Sequence, residues 1–154
     1  MGNYVSSHDL VERMEEFQKL YQGLQNNVLK KHHVNRSAFF IMKIILDSKM
    51  TLKELTALSS LDKSTLSRQV NALEKKKQII KEPGKDKRYY NLSLSKETLA
   101  LTNQILEELE ETIEFILRGW PDEEKQLLLV LLGRVGRSMR TYEEQKKGEE
   151  QKNG

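Results

Sequence analysis

Between residues 62 and 88 the sequence concentrates small polar and cationic side chains at spacings that suit contact with a polyanion. From Lys63 to about Lys76 the apolar residues Leu66, Val70 and Leu73 share one helical face. At about 100° per residue the opposite face carries Ser64, Ser67, Arg68, Asn71 and Lys75. Small residues near the start of such a helix let the backbone approach phosphates, where amides and the helix dipole favour an anion. Arg68, one turn after Ser64, can offer its planar fork to guanine O6 and N7, a contact worth roughly 1–3 kcal/mol of discrimination. Gln69 and Asn71 carry amides suited to adenine, Gln69 from the flank. Further along, Lys85-Asp86-Lys87-Arg88 is a compact basic run. A guanidinium such as Arg88 gains from the negative potential of a narrow minor groove. Asp86 would be repelled by phosphate, so its expected role is internal, holding Arg88 by a charge-assisted hydrogen bond. Taken singly, each feature also fits a solvated helix face or a solvated turn.

The elements that must position these groups follow from periodicity. Leu10, Met14, Phe17, Tyr21, Leu24 and Val28 form one helical stripe, opened by Ser6 with Asp9 three positions on. Ser37 to Ser48 is apolar nearly all round, with only Lys43 interrupting, and so predicts an enclosed helix. Thr51-Leu52-Lys53-Glu54 is a capping box opening a short helix with Leu52, Leu55 and Leu58 inward. A turn at Ser59-Ser60-Leu61 leads to Asp62 as the next N-cap. Helical periodicity then stops. Gln78–Glu82 and the alternating Tyr89–Leu94 read as two strands, with Pro83-Gly84 at the centre of a type II turn. Beyond Ser95 a long helix has the stripe Leu99, Thr102, Leu106, Leu109, Ile113, Ile116 and Trp120. Pro121 and the acids behind it start a last helix, striped by Leu128, Leu132, Val135, Met139 and Tyr142. Residues 146–154 are expected to fray.

Composition narrows the function. The 154 residues contain no cysteine, which excludes disulfides, thiolate metal sites and thiol switches within the sequence. The longest apolar run, Leu127–Leu132, is far short of the roughly 20 residues needed to cross a bilayer. With no N-terminal apolar region of a secretory signal, a cytoplasmic location is expected. Met1-Gly2 with Ser6 fits a myristoylation pattern but lacks the basic patch that a single acyl chain needs. The sequons at Asn35 and Asn91 carry no weight in an unsecreted chain. Net charge is +3, but Asp47–Leu94 holds eleven Lys/Arg against six Asp/Glu, a local +5, leaving −2 for the rest. A basic centre between near-neutral or acidic flanks suggests a polyanion-binding module on a scaffold; simple surface decoration by lysine remains the alternative.

Two short helices followed by a basic hairpin make a winged helix-turn-helix. The segment from Thr51-Leu52-Lys53-Glu54-Leu55 through Asp62-Lys63-Ser64-Thr65-Leu66-Ser67-Arg68 and Leu73-Glu74-Lys75-Lys76 to Asp86-Lys87-Arg88 resembles the MarR family of bacterial transcriptional regulators. The likeness spans nearly the whole chain, and the Asp-x-Arg wing followed by an alternating strand and a long helix is its most specific part. It implies a mainly α fold with a small β-hairpin wing, in which terminal helices pair two subunits. The corresponding division is a single domain, 1–154. Dimerisation helices at 6–33 and 95–145 surround a winged helix-turn-helix at 35–94. By the same likeness Ser64, Thr65, Ser67 and Arg68 fall at recognition-helix positions and Arg88 at the minor-groove position of the wing. With Lys63, Asn71 and Lys75 on the helix, Lys85 and Lys87 on the wing, and Asp86 as support, these form the expected interface with double-stranded DNA. Two departures stand out. Gln78-Ile79-Ile80 replaces the family's Gly-Leu-Ile, which predicts a less sharp helix end, and Glu82-Pro83-Gly84 replaces the commoner strand turn.

A dimer also follows from the stripes, since the winged core is too small to cover all of them and their exposure would exceed a monomer's ordinary apolar patches. The resemblance further implies a crevice for a small amphipathic or aromatic effector, for which Phe17, Tyr21, His32, His33, Phe39 and Phe40 are the candidates. The same aromatics also suit plain core. Adjacent histidines with no acidic neighbour in sequence give no metal site, and no cofactor is expected. No catalytic Ser/His/Asp order, phosphate-cradling glycine loop or histidine-metal motif is present, so an enzyme is not expected. The expected protein is a DNA-binding regulator, a ligand-responsive repressor acting as a homodimer on a palindromic operator. The rival reading is a helical protein-interaction adaptor using the same fold without DNA.

Overall fold

The computed structural model describes Gly2 and residues 4–154. Met1, part of the lipidation-like start, and Asn3 lie outside the described residues. These form six helices, α1 (Ser7–Lys31), α2 (Arg36–Ile45), α3 (Leu52–Leu58), α4 (Lys63–Lys75), α5 (Lys96–Ile116) and α6 (Asp122–Asn153). Three short strands, β1 (Met50–Thr51), β2 (Ile79–Pro83) and β3 (Tyr90–Leu94), complete the described elements. The mainly helical winged architecture read from the sequence is borne out. The chain divides into two compact units, Met1–Glu111 and Thr112–Gly154.

In the first unit α2 is the hub. Its apolar circumference places Ile41, Met42 and Ile45 at or near zero exposure, beside Leu55 of α3, Leu66, Val70 and Leu73 of α4, and Leu92 of β3. Local chemistry sets the helix starts. The side-chain oxygens of Ser6, Asn35, Thr51 and Asp62 each accept from the backbone N–H three residues on, so each helix begins where its first orphan donors find a partner. Helix α2 ends at Ile45, three residues before the expected Ser48. The buried face of α5 also differs from the predicted stripe. Thr102 is buried and Leu106 and Leu109 pack on the core as expected, but Thr98 and Ile105 are buried while Leu99 is exposed. The rotation follows from the hydroxyls: Ser95 Oγ donates to Thr98 Oγ1 at 2.7 Å and accepts from Thr98 N at 3.1 Å, while Thr102 Oγ1 bonds the Thr98 carbonyl at 2.7 Å. Threonines satisfied in this way can be buried without an orphaned polar group.

Helix α4 ends sharply, contrary to the expectation drawn from Gln78-Ile79-Ile80. Lys77 takes a left-handed conformation, φ 58°. Its N–H bonds the Glu74 carbonyl, and the Gln78 N–H bonds the Leu73 carbonyl, each at 2.9 Å. This is a Schellman closure made without glycine. Helix α1 closes in the same manner with His33 at φ 55°, and the Val34 N–H bonds the Leu29 carbonyl.

The sheet has the order β1-β3-β2 and is antiparallel throughout. Strand β1 was not expected; Met50 pairs with Leu92, and Thr51, which also caps α3, pairs with Asn91. The turn expected at Pro83-Gly84 is corrected too. Pro83 is the last residue of β2, opposite Tyr90, and Gly84 N–H bonds the Tyr89 carbonyl at 2.9 Å. A proline fits because β2 is an edge strand, where a missing donor is tolerated. Gly84 does not have positive φ. Its lack of a side chain matters because a Cβ there would stand 3.1 Å from the Tyr89 carbonyl oxygen. The loop tip instead closes by the Tyr89 N–H to the Asp86 carbonyl, 3.0 Å.

In the second unit the end of α5 is followed by Leu117–Gly119, and the Trp120 N–H bonds the Leu117 carbonyl at 3.0 Å. Trp120 therefore lies beyond the helix that its spacing had extended. Pro121 is the N-cap of α6, with Asp122, Glu123 and Glu124 in the first turn. Helix α6 runs to Asn153, through the residues for which fraying is expected. The polar end consists mainly of good helix formers and carries the pair Lys146–Glu149 and a Lys146 ammonium 5.8 Å from the Tyr142 ring centroid.

Candidate nucleic-acid interface

Strand pairing and the α3–α4 turn bring two sequence-distant groups to one groove of about 720 Å³ in the first unit. Lys63, Ser67 and Asn71 line it from α4, and Arg88 lines it from the wing. Ser64, Arg68 and Lys75 are exposed on α4 outside the groove lining, and Lys85 and Lys87 are exposed at the wing tip. The groove also contains Lys53, Lys81, Tyr89 and Tyr90, none of which local spacing had singled out. The flanking Gln69 turns away. It lines a separate cavity of about 270 Å³ with Arg36 and Lys76, and its Oε1 is buried with no hydrogen-bond partner among the described residues.

At the start of α4 the Asp62 carboxylate occupies the position where an external anion had been expected. Its oxygens accept from Thr65 N at 2.8 Å, Thr65 Oγ1 at 2.9 Å and Ser64 Oγ at 2.9 Å. The Thr65 backbone bond, then the Ser64 and Thr65 hydroxyls, hold the Asp62 carboxyl down at about 2. Ser64 and Thr65 are thus engaged in ordering the helix start, and a polyanion would meet Lys63, Ser67 and Arg68 first.

On the wing Asp86 grips Arg88 through both side chain and backbone. Arg88 Nη2 donates to Oδ2 at 2.8 Å, Nε to Oδ1 at 3.1 Å, and the Arg88 N–H to Oδ1 at 3.1 Å. The Arg88 side chain, then its backbone N–H, lowers the Asp86 carboxyl; Asp86 in turn raises the guanidinium. The Arg88 guanidinium also lies 5.8 Å from the Tyr89 ring centroid. A cation held by a neighbour and a ring is pre-organised for insertion while remaining exposed.

The six residues offered for an effector do not share one cavity. Phe17 and Tyr21 stack on each other, 5.8 Å between centroids, and are exposed. His33 closes α1. Phe39 and Phe40 line a cavity of about 650 Å³ with Leu29, Arg36, Lys43 and Ile44. His32 has an acidic partner after all. Its Nε2 lies 2.9 Å from Glu108 Oε1, a residue 76 positions away that no local inspection would pair with it. Among the described residues no group of three or more His, Cys, Asp or Glu is placed to hold a metal ion. No helix among them is long and apolar enough to cross a membrane.

Helices α3 and α4 with a basic hairpin on a three-stranded sheet define the winged helix-turn-helix class. Among solved structures of that class, MarR family proteins resemble this chain in fold over most of its length. A MarR family protein from Bacillus stearothermophilus superposes with TM-score 0.75 at 16% identity, over 89% of this chain and 99% of that one. A MarR protein from Peptoclostridium difficile gives 0.69 at 26% identity, over 90% and 92%. A mutant MarR from E. coli, solved in complex with operator DNA, gives 0.70 at 21% identity, over 82% and 93%. No family model and no curated protein matches the sequence.

Proposed function

We propose that this protein is a sequence-specific double-stranded DNA-binding transcriptional regulator, a homodimer that represses by occupying a palindromic operator. The observation that carries the reading is the single groove flanked by Lys63, Ser67 and Asn71 of α4 and by Arg88 of the wing, with Lys53 and Lys81 between them. Arg68 on α4 then reads base edges in the major groove, and Arg88 enters the adjacent minor groove. Lys63, Lys75, Lys85 and Lys87 hold phosphates and fix register. The operator complex of the E. coli neighbour, whose fold this chain shares, supports the same assignment.

Dimerisation is supported by what the single chain leaves uncovered. Leu10, Met14 and Phe17 of α1 and Leu131, Leu132 and Met139 of α6 are all exposed. Apolar area on that scale calls for burial against a second copy. Two α4 helices related by a two-fold axis would address half-sites about one helical turn, roughly 34 Å, apart. For a small amphipathic effector the candidate site is the cavity lined by Leu29, Phe39 and Phe40.

Selection of bound duplexes from a random pool tests the function directly. Enrichment of a palindrome is expected, with log affinity falling against log salt at about −0.9 per phosphate contact. Failure to enrich any sequence, with binding indifferent to salt, would favour the protein-interaction adaptor.

A further inference from the structure

Lys81 had no place in the sequence-based interface, yet its ammonium ties strand β2 of the wing to helix α4. Its Nζ donates to Asn71 Oδ1 at 3.0 Å and pairs with Glu74 Oε2 at 2.9 Å. The ammonium has three donors and no acceptor. An Asn71 amide turned the other way would set NH₂ against NH₃⁺, so Oδ1 is fixed toward Lys81 and Nδ2 faces away from it. Glu74, three residues after Asn71 on the same helix, neutralises Lys81 and anchors it in place.

We propose that Lys81 is a positioning residue that sets base specificity by converting Asn71 from a two-sided amide into a donor. The inference rests on the DNA-binding reading above. Adenine recognition by asparagine uses the amide oxygen toward N6 and the amide nitrogen toward N7. Here an incoming N6 amine must share Oδ1 with the Lys81 ammonium that already donates to it, which weakens that pairing. The Nδ2 hydrogens and the ammonium together present donors to the groove. They favour base edges that offer acceptors, guanine O6 and N7 or thymine O4, over the exocyclic amines of adenine and cytosine. Asn71 therefore selects guanine or thymine at one position of each half-site, in place of the adenine its residue type suggests.

The test compares sequence selection from a random duplex pool by the full-length wild type and by Asn71→Ala, Lys81→Met and Lys81→Arg. Asn71→Ala identifies the base position that depends on this side chain. At that position the wild type and Lys81→Arg should enrich guanine or thymine, and Lys81→Met should raise the share of adenine about tenfold, within the range of one bidentate contact. A uniform loss of affinity from the missing charge does not produce that change of base. A wild-type motif whose Asn71-dependent position is already adenine, or is unchanged in Lys81→Met, overturns the proposal while leaving the DNA-binding function intact. Absence of any wild-type motif overturns both. Should Lys81→Met fold poorly, Lys81→Gln serves instead. Its neutral amide removes the ammonium, so the share of adenine at that position should rise, and an unchanged base overturns the proposal equally.

Discussion

The hub of the first unit and the long helix of the second solve the problem of apolar surface in opposite ways. Helix α2 has ten residues and buries five of them; α6 has thirty-two and buries none within the chain. Around α2 every apolar side chain that lacks room to be exposed is matched by neighbours from α3, α4 and β3. Along α6 and the first half of α1 the apolar residues are as regular but unmatched. Burial at roughly 25 cal/mol per Å² stabilises the first region within one chain and leaves the second dependent on another surface. The winged core is thus organised to hold a shape within one chain, and the helical ends leave the apolar surface that the proposed dimer would cover.

The largest effect should come from opening the core. Ile41→Ala should lower stability by roughly 2–5 kcal/mol in denaturant unfolding, because Ile41 is completely buried and the site cannot collapse freely. By contrast Leu132→Ala, at a half-exposed position, should change the stability of an isolated subunit by no more than about 0.5 kcal/mol. Comparable costs at both sites under dilute conditions would break the contrast between the two regions. If α6 forms the proposed dimer surface, Leu132→Glu should abolish self-association in sedimentation while helix content is retained. A dimer that survives this change, with unaltered affinity, would show that α6 is not the shared element. Arg68→Ala and Arg88→Ala should weaken duplex binding with the unfolding midpoint unchanged, as both side chains are exposed.

Smaller effects sharpen the account of how the core is held. Lys77→Gly should raise stability by about 1 kcal/mol, because the left-handed residue that closes α4 carries a Cβ it would do better without. Asp62 provides a pH signature. Its carboxyl is depressed from 3.8 to about 2, so its stabilising contribution is complete above 3.8 and is lost as pH falls toward 2. The stability difference between wild type and Asp62→Asn should therefore shrink across that window in acid titrations, and a constant difference would remove the helix start from the account.

Much of this was legible because it is local. Ser6, Thr51 and Asp62 cap the next few residues, and the Leu66–Val70–Leu73 face needs only its own spacing to be recognised. What escaped depends on distance or competition. His32 meets Glu108 only after α5 returns to the end of α1, and Lys81 reaches Asn71 only because β2 follows a Schellman closure made by lysine. Pro83-Gly84 has the composition of a turn, but an edge strand accepts proline, and the cross-strand bond at Gly84 outweighs the local preference. Ser64 and Thr65 were correctly set at the helix start, yet nothing in their spacing revealed that Asp62 would engage both hydroxyls.

Trp120, the chain's single tryptophan, sits in the short connection between α5 and α6 and is 43% exposed. Nature has in effect placed an optical probe at one junction and nowhere in the winged core. Indole emission will follow events near that junction alone, while far-ultraviolet circular dichroism sums over every helix. If the two signals melt at different temperatures, the molecule unravels in stages; if they coincide, the halves stand or fall together.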